Sequence, residues 1–155
     1  MAEQSLLTDE VLACLGRRDP PSVQKVDAWA LQRWQQAAFC ASPVHTDKQA
    51  ARRSRYHGLI AHPTYVTSLC KEHFVKNEPA SKPPFKTTGG AHASDEFEFY
   101  LPVRPGDVIT RNVSIVDIKE RRGRHGYVAF VTYESIYTNQ RGQTVLKELW
   151  TVAHF

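Results

Sequence analysis

The segment 39–65 holds the side chains in this sequence that are best suited to acid–base chemistry. It contains Cys40, His45 and Asp47, and a second histidine, His62, follows a Gly-Leu-Ile-Ala run. A histidine with its ordinary pKa of about 6.5 takes up and releases protons at neutral pH. A carboxylate or a thiolate beside such a histidine is typical of sites that activate water or a nucleophile. The segment therefore predicts a proton-transfer site centred on His45.

Two simpler classes of site fit the sequence poorly. The seven histidines show neither His-x-x-x-His nor His-Glu-x-x-His spacing, so we expect no metal site. The three cysteines, Cys14, Cys40 and Cys70, are an odd number without a Cys-x-x-Cys pair, which argues against zinc and against a disulfide framework. This use of cysteine predicts a cytoplasmic protein. His45 also has a structural interpretation, in which its ring simply bonds a backbone carbonyl of a loop.

Four helices are predicted in the first half of the chain, and they must position this segment. Thr8 and Asp27 are suitable N-caps for the first two, and Thr46 or Asp47 begins the third. Pro63 suits the first turn of the fourth helix, which carries a continuous apolar stripe and has His62 as an N-terminal cap or pocket-rim residue. The predicted helices span residues 5–16, 27–39, 46–55 and 63–75.

The second half of the chain changes to a period of two, which predicts β-strands. A loop at 78–91 precedes them, a turn at 104–107 separates the first two, and short hairpin turns at 121–126 and 139–142 separate the others. We expect a meander of antiparallel strands with the helices on one face, which is an α+β fold. The predicted strands span residues 95–103, 108–119, 127–138 and 143–154.

Composition predicts one folded domain over residues 1–155. The chain is 41% hydrophobic with a net charge of +4, which is ordinary for a globular protein. No apolar run reaches the ~18–20 residues of a membrane span, and the polar, acidic N-terminus does not read as a secretory signal. Two arginine clusters, at 52–55 and 121–124, suit either solvent or the phosphates of a ligand. We expect no nucleic-acid partner, because no nucleic-acid-binding motif accompanies them.

Four short motifs, in order along residues 26–153, resemble those of the MaoC-like, (R)-specific enoyl-thioester hydratases, which have the hot-dog fold. The nearest subgroup is the FAS1-like, N-terminal type of dehydratase domain. The family motif G-D-x-N-P-[LIV]-H-x-D is matched at its second half by residues 43–47, and a GLIAPPT-like helix opening is matched by 58–64. The FEYxxPxRPGD-like and TNQ-x-G motifs are matched by 97–107 and 138–142.

This resemblance implies an antiparallel sheet wrapped around a central helix, 63–75, and addition of water to a trans-2-enoyl thioester or the reverse. The substrate would be a thioester of coenzyme A or of an acyl carrier protein, with no cofactor. His45 would be catalytic, and backbone N–H groups of the turn 58–63 would polarise the thioester carbonyl. The implied substrate-binding residues are Gly58, Leu59, Ile60, Ala61, His62, Thr64, Tyr65 and Val66.

The sequence departs from the family at the residue that completes the catalytic pair. Cys40 stands where the family has the aspartate five residues before its histidine, and Phe39 replaces the preceding glycine. A thiol has a free pKa of about 8.5 and hydrogen-bonds weakly, so it is a poor substitute for a carboxylate base.

Several interpretations of Cys40 remain open. The chain is a subunit that shapes the acyl pocket while a second hot-dog contributes the complete pair, as a heteromer. Alternatively, it is a self-sufficient homodimer in which His45 acts with Asp47 or Cys40. In a third interpretation Cys40 is a nucleophile activated by His45, as in a thioesterase or acyltransferase. A fourth is a non-catalytic module that binds acyl thioesters.

Overall fold

In the part of the chain that the structure describes, five short helices lie before the four long strands of a five-stranded antiparallel sheet. The computed structural model describes residues 4–70, 82–87, 89–124 and 126–155. The strand order is β1-β3-β4-β5-β2. The strands are β1 Ser22–Lys25, β2 Gly90–Phe99, β3 Val108–Gly123, β4 Gly126–Thr138 and β5 Thr144–His154. The helices are α1 Asp9–Leu12, α2 Ala28–Ala37, α3 Pro43–Thr46, α4 Lys48–Arg53 and α5 Pro63–Val66.

The predicted helix starts agree with the structure, although the helices are shorter. Thr8, Asp27 and Asp47 accept hydrogen bonds from the first turns of α1, α2 and α4. The helix predicted over 63–75 is α-helical over Pro63–Val66 and continues as turns to Cys70. Its remaining residues, His73 among them, lie outside the described residues. The short helix α3 was not predicted, because Pro43 was taken only as the end of α2.

The α+β prediction is confirmed, but the predicted simple meander is wrong in one respect. β3, β4 and β5 follow one another as hairpins, whereas β2 pairs with β5 on the far side of the sheet. The turn 104–107 therefore does not close a hairpin; it carries the chain across to β3. The edge strand β1 was missed, because its four residues directly follow two prolines that read as a break.

The core lies between the sheet and the helices in two apolar clusters. The first joins α2 and α5 to the sheet, and its members include Leu31, Tyr65, Val66 and Ile109. The second is centred on Tyr133 and Trp150, whose rings stack with centroids 4.1 Å apart. β2 differs from the other strands, because every one of its ten residues is exposed. The domain bounds 1–155 stay a prediction.

Candidate functional site

Two of the sequence motifs meet where the turn 104–107 holds the loop before α5. The Ala61 N–H donates to the Val103 carbonyl oxygen at 2.7 Å. Arg104 Nη2 donates to the Tyr56 carbonyl oxygen at 2.6 Å. Gly58 lies under the same arginine, since a Cβ at that position would come 3.3 Å from Arg104 Nη1. The arginine and the strand end thus fix the path of residues 56–61.

The motif at 138–142 connects this turn to the β4–β5 hairpin. Gln140 Nε2 donates to Asp107 Oδ1 at 3.0 Å, and the Val108 N–H donates to Gln140 Oε1 at 3.1 Å. The other carboxylate oxygen of Asp107 accepts the Arg104 N–H at 2.8 Å. The site loop is therefore braced by residues far apart in sequence, and this explains why the motifs occur together.

His45 lies on α3 and is oriented by the loop it faces. Its Nδ1 is 3.1 Å from the Ile60 carbonyl oxygen, which also accepts a hydrogen bond of 3.3 Å from Gln35 Nε2. A carbonyl only accepts, so Nδ1 carries a proton, and in the neutral form of the ring Nε2 has the lone pair. The structural interpretation of His45 is thus correct for Nδ1, and Nε2 remains able to act as a base.

A cleft of about 510 Å³ opens beside His45, between α2 and the α3–α4 segment. Leu59 and Gln35 contribute to its wall, and Trp29 and Lys48 also line it. Trp29 is 67% exposed, and Arg33 lies over its ring at 5.0 Å. The cleft combines an apolar wall, one base and a cation, which suits a ligand with an acyl part and an anionic part.

Gln35 and Trp29, which both line the cleft, are functional candidates that were not predicted from the sequence. Gln35 is only 4% exposed and follows the buried Leu31 by one helical turn. A polar residue on the apolar face of a helix is the signal that could have identified it. Its amide fixes the same carbonyl oxygen that orients His45.

Cys40 and Asp47, the partners considered for His45, have other roles in the structure. The Cys40 N–H bonds the Gln35 carbonyl oxygen at 3.0 Å at the end of α2. Asp47 Oδ1 accepts the Gln49 and Ala50 N–H groups at 2.7 and 3.1 Å, so its carboxylate caps α4. Among the described residues neither side chain hydrogen-bonds to His45.

The backbone conformation of Phe39, just before Cys40, is one that favours the glycine of the family motif. Phe39, which stands for the family glycine, has a φ of +52° and is 91% exposed. The left-handed region costs a residue with a Cβ roughly 1–2 kcal/mol, whereas glycine enters it freely. The chain path here thus suits the glycine that this sequence lacks.

His62 lies next to His45, which the sequence did not predict. The two ring centroids are 5.3 Å apart with the planes inclined at 58°, and Trp34 packs on His62 with centroids 5.7 Å apart. His62 Nδ1 accepts the Thr64 N–H at 3.3 Å and lies 2.8 Å from Thr64 Oγ1. The predicted cap of α5 is therefore confirmed. Burial, and secondarily the charge of His45, lower the pKa of His62 below its usual range.

The other implied substrate-binding residues differ in whether their side chains line the cleft and whether their N–H groups are already bonded. Leu59 lines the cleft, while Tyr65 and Val66 are buried in the first core cluster and do not line it. The N–H groups of Ile60 and Ala61 are occupied by the carbonyl oxygens of Val44 and Val103. Within the described ranges, the N–H groups of Gly58 and Leu59 bond no protein acceptor, so they remain available to a carbonyl oxygen.

The profile of the FAS1-like, dehydratase domain region family matches residues 13–148. The chain belongs to this family. Its match covers both the site loop and the long strands, so the resemblance read from the four motifs is confirmed.

Individual proteins agree with the family assignment. The chain is 28% identical to the MaoC-like dehydratase from Rhodospirillum rubrum, with a TM-score of 0.72 over 91% of this chain and 92% of that one. It has a TM-score of 0.71 with the HadBC (3R-hydroxyacyl-ACP dehydratase) complex from Mycobacterium tuberculosis, at 20% identity over 98% and 99% of the two chains. A probable enoyl-CoA hydratase alpha subunit from Thermomonospora curvata is 25% identical over 89% of this chain and 46% of its own length. The hot-dog fold is confirmed.

The described residues contain neither a helix that could cross a membrane nor a cluster of metal ligands. Their helices include none with the length and apolar character to span a bilayer. Their His, Cys, Asp and Glu side chains form no group of three or more that could hold a metal ion.

Proposed function

We propose that this chain is one hot-dog subunit of a hydratase/dehydratase that acts on enoyl and 3-hydroxyacyl thioesters of coenzyme A or an acyl carrier protein. It shapes the acyl pocket beside a second hot-dog, which brings the complete Asp–His pair. The observation that carries the proposal is that no carboxylate of the described residues hydrogen-bonds to His45: Cys40 occupies the position of the family aspartate in the sequence, and Asp47 caps a helix.

The exposed edge of the sheet supports a partner. β2 pairs with β5 on one side only, and all of its residues are exposed. Phe97 and Phe99 are 41% and 46% exposed, and their stacked rings have centroids 6.1 Å apart. A long edge strand with exposed aromatic residues is typically covered in the native assembly. The complex and the alpha subunit among the similar proteins are consistent with a hot-dog as the cover.

The test is an assay of water addition to crotonyl-CoA and to longer enoyl-CoA substrates. The purified chain is assayed alone and together with a hot-dog protein from the same organism that carries the full Asp–His motif. We expect the fast reaction only in the mixture, with loss when the aspartate of that protein is replaced by asparagine. Full turnover by this chain alone would contradict the division of labour. No turnover in either preparation would contradict the reaction itself.

Cys40→Asp gives a matched probe of the site. If the surroundings are otherwise competent, the carboxylate raises the activity of the isolated chain, whereas Cys40→Ser does not. The thioesterase alternative predicts an alkylation-sensitive Cys40 and thioester hydrolysis. An inert thiol would dispose of that alternative.

A second candidate function is a self-sufficient hydratase. It is supported by the position of His45 on the wall of the cleft, because its Nε2 bonds no group among the described residues and a neutral imidazole nitrogen can accept a proton from water. Turnover by the isolated chain that is lost in His45→Ala would support this candidate.

A further inference from the structure

We propose that His45 and His62 hold a water molecule between them and form a second, slower hydration centre within this chain. His45 accepts a proton of the water, and His62 donates a hydrogen bond to its oxygen. The inference rests on the substrate class of the proposed function. It does not depend on the aspartate of any partner.

The first step is the tautomer of His45. Its Nδ1 lies 3.1 Å from the Ile60 carbonyl oxygen, which can only accept. The neutral ring therefore presents a lone pair at Nε2. The bond from Gln35 to the same carbonyl fixes its position and, through it, the orientation of the ring.

The second step is the tautomer of His62, which is the opposite one. The Thr64 N–H can only donate, and it donates to Nδ1. The proton of the neutral ring is then on Nε2, which becomes a donor. The two histidines thus supply one acceptor and one donor, the set needed to orient a water for attack.

The third step is the separation of the rings. A water that bonds two nitrogens at about 2.8–3.0 Å each joins atoms up to roughly 5–6 Å apart. The ring centroids are 5.3 Å apart and the rings are inclined rather than stacked, so the two rings are close enough for one water to reach a nitrogen of each. Trp34 packs against the His62 ring and against Tyr65, so the pair is held on a rigid base.

Electrostatics keeps His62 in the required neutral form. Burial, and secondarily the charge of His45, lower its pKa below 6.5. A neutral His62 ring keeps its proton on Nε2 and donates through that nitrogen.

The chemistry of addition then balances within the pair. The water oxygen forms its bond to C3 of the enoyl thioester while one of its protons passes to His45 Nε2. The electron pair of the C2–C3 double bond moves towards the thioester carbonyl and returns to C2, which takes the proton from the His45 imidazolium. Both histidines end as they began, and one water has been added across the double bond.

The experiment uses the full chain alone with crotonyl-CoA and separates the two bonds of His62. An asparagine amide reaches the position of Nδ1, so His62→Asn keeps an acceptor for the Thr64 N–H and loses the donor at Nε2. A glutamine amide reaches the position of Nε2, so His62→Gln keeps the donor and loses the cap. We expect His62→Asn to lower kcat about 10²–10³-fold with unchanged thermal unfolding. His62→Gln should retain more activity despite a lower Tm.

His45→Asn keeps a donor for the Ile60 carbonyl and removes the base, so kcat should fall about 10²–10⁴-fold. The matched control is His57→Asn, at an exposed residue with a φ of +54° that asparagine tolerates. It should leave kcat unchanged. Equal activities of wild type and His62→Asn would overturn the inference.

Absence of any hydration by the isolated chain above the buffer rate would also overturn the inference. In that case the mixture with the second hot-dog still decides the proposed function separately, because that reaction depends on the partner's aspartate.

Discussion

The sheet interior and the His45–His62 pair are both polar, but they are built in opposite ways. In the interior, Arg111 and Glu148 are 4% and 1% exposed. At the cleft, His45 and the adjacent His62 are both partly exposed, and each ring has one nitrogen bonded to the protein. The first region contains charged groups that are closed off from ligands, whereas each ring of the second region has a nitrogen left for a ligand.

The interior cluster is fixed by strand register. Arg111 is paired with Tyr137 across β3 and β4, and Ser135 is paired with Glu148 across β4 and β5. The Tyr137 hydroxyl donates to Glu148 Oε2 at 2.7 Å, and Arg111 Nη2 lies 3.7 Å from the same oxygen. Arg111 Nη2 also donates to Ser135 Oγ at 2.9 Å. Desolvation is the main reason that the pKa of Tyr137 is raised far above its usual range.

This difference shows how to tell a structural polar cluster from a site for chemistry. Buried charge is tolerated only when neighbouring groups compensate it, so the interior cluster is expected to control stability. The histidine pair retains an acceptor and a donor next to a cleft, so it is expected to control activity. Substitutions in the two regions should therefore affect different measurements.

The largest expected effect is on stability, from Glu148→Leu. This variant leaves the charge of Arg111 buried without its carboxylate and should lower the free energy of unfolding by about 3–5 kcal/mol. Denaturant unfolding measures it, with Glu134→Gln as the control. Glu134 pairs with Lys147 at 2.7 Å near the surface, so its loss should cost less than about 1 kcal/mol. Equal losses in the two variants would contradict the difference between the buried and the surface pair. Adding Arg111→Met to Glu148→Leu should recover most of the stability, because it removes the unpaired buried charge.

Tyr137→Phe should have an intermediate effect. It removes only the hydroxyl that donates to Glu148, and a hydrogen bond to a charged group contributes about 1.5–3 kcal/mol. The same denaturant titration measures the change, and kcat should be unaffected. A change in kcat without a change in stability would place Tyr137 in the site.

Asp47→Ala tests whether the carboxylate nearest to His45 in sequence is structural. Removal of a helix cap should cost about 1 kcal/mol, and Asp47→Asn should restore most of it because asparagine caps well. We expect kcat to stay within about twofold of wild type in both variants, since RT ln 2 is only about 0.4 kcal/mol. If kcat collapses in Asp47→Asn, the carboxylate takes part in proton transfer.

The smallest expected effect is the pH dependence contributed by His62. Its folded pKa lies below the unfolded value of 6.5, so the folded state binds fewer protons in this range. The contribution to stability is complete above the unfolded pKa and is lost as pH falls through the folded pKa. The unfolding free energies of wild type and His62→Asn should therefore agree near pH 7.5, and that of wild type should fall below that of the variant as the pH is lowered to 5. A constant difference would show that His62 does not titrate as described.

The sequence predicted the parts of this fold that depend on local pattern. Alternating Val, Ile and Tyr residues marked β3, β4 and β5, and short polar turns marked their hairpins. Local pattern could not reveal that β2 pairs with β5, because the choice of neighbour depends on contacts far apart in the chain. The predicted β3 also ended at residue 119, whereas its pairing with β4 continues through the arginines to Gly123 and Gly126.

For the site, the spacing of motifs identified His45 but not what surrounds it. His62 was read as a cap, which its Nδ1 is, and its nearness to His45 depends on how the Ile60 carbonyl draws α3 and the loop together. In the sequence, Gln35 could not be distinguished from the other polar residues of α2. The sequence thus identified His45 as a candidate, whereas the neighbouring His62 and the fixed Ile60 carbonyl emerge only in three dimensions.

The open edge of β2 should limit the yield of soluble protein in cells. Ten exposed residues in extended conformation, with aromatic rings at one end, form a template on which another strand can add. On the proposal that a second hot-dog covers this edge, copies of this chain in excess of that partner would pair with one another there and aggregate. We therefore expect the yield of soluble protein to follow the supply of the covering chain rather than the strength of expression.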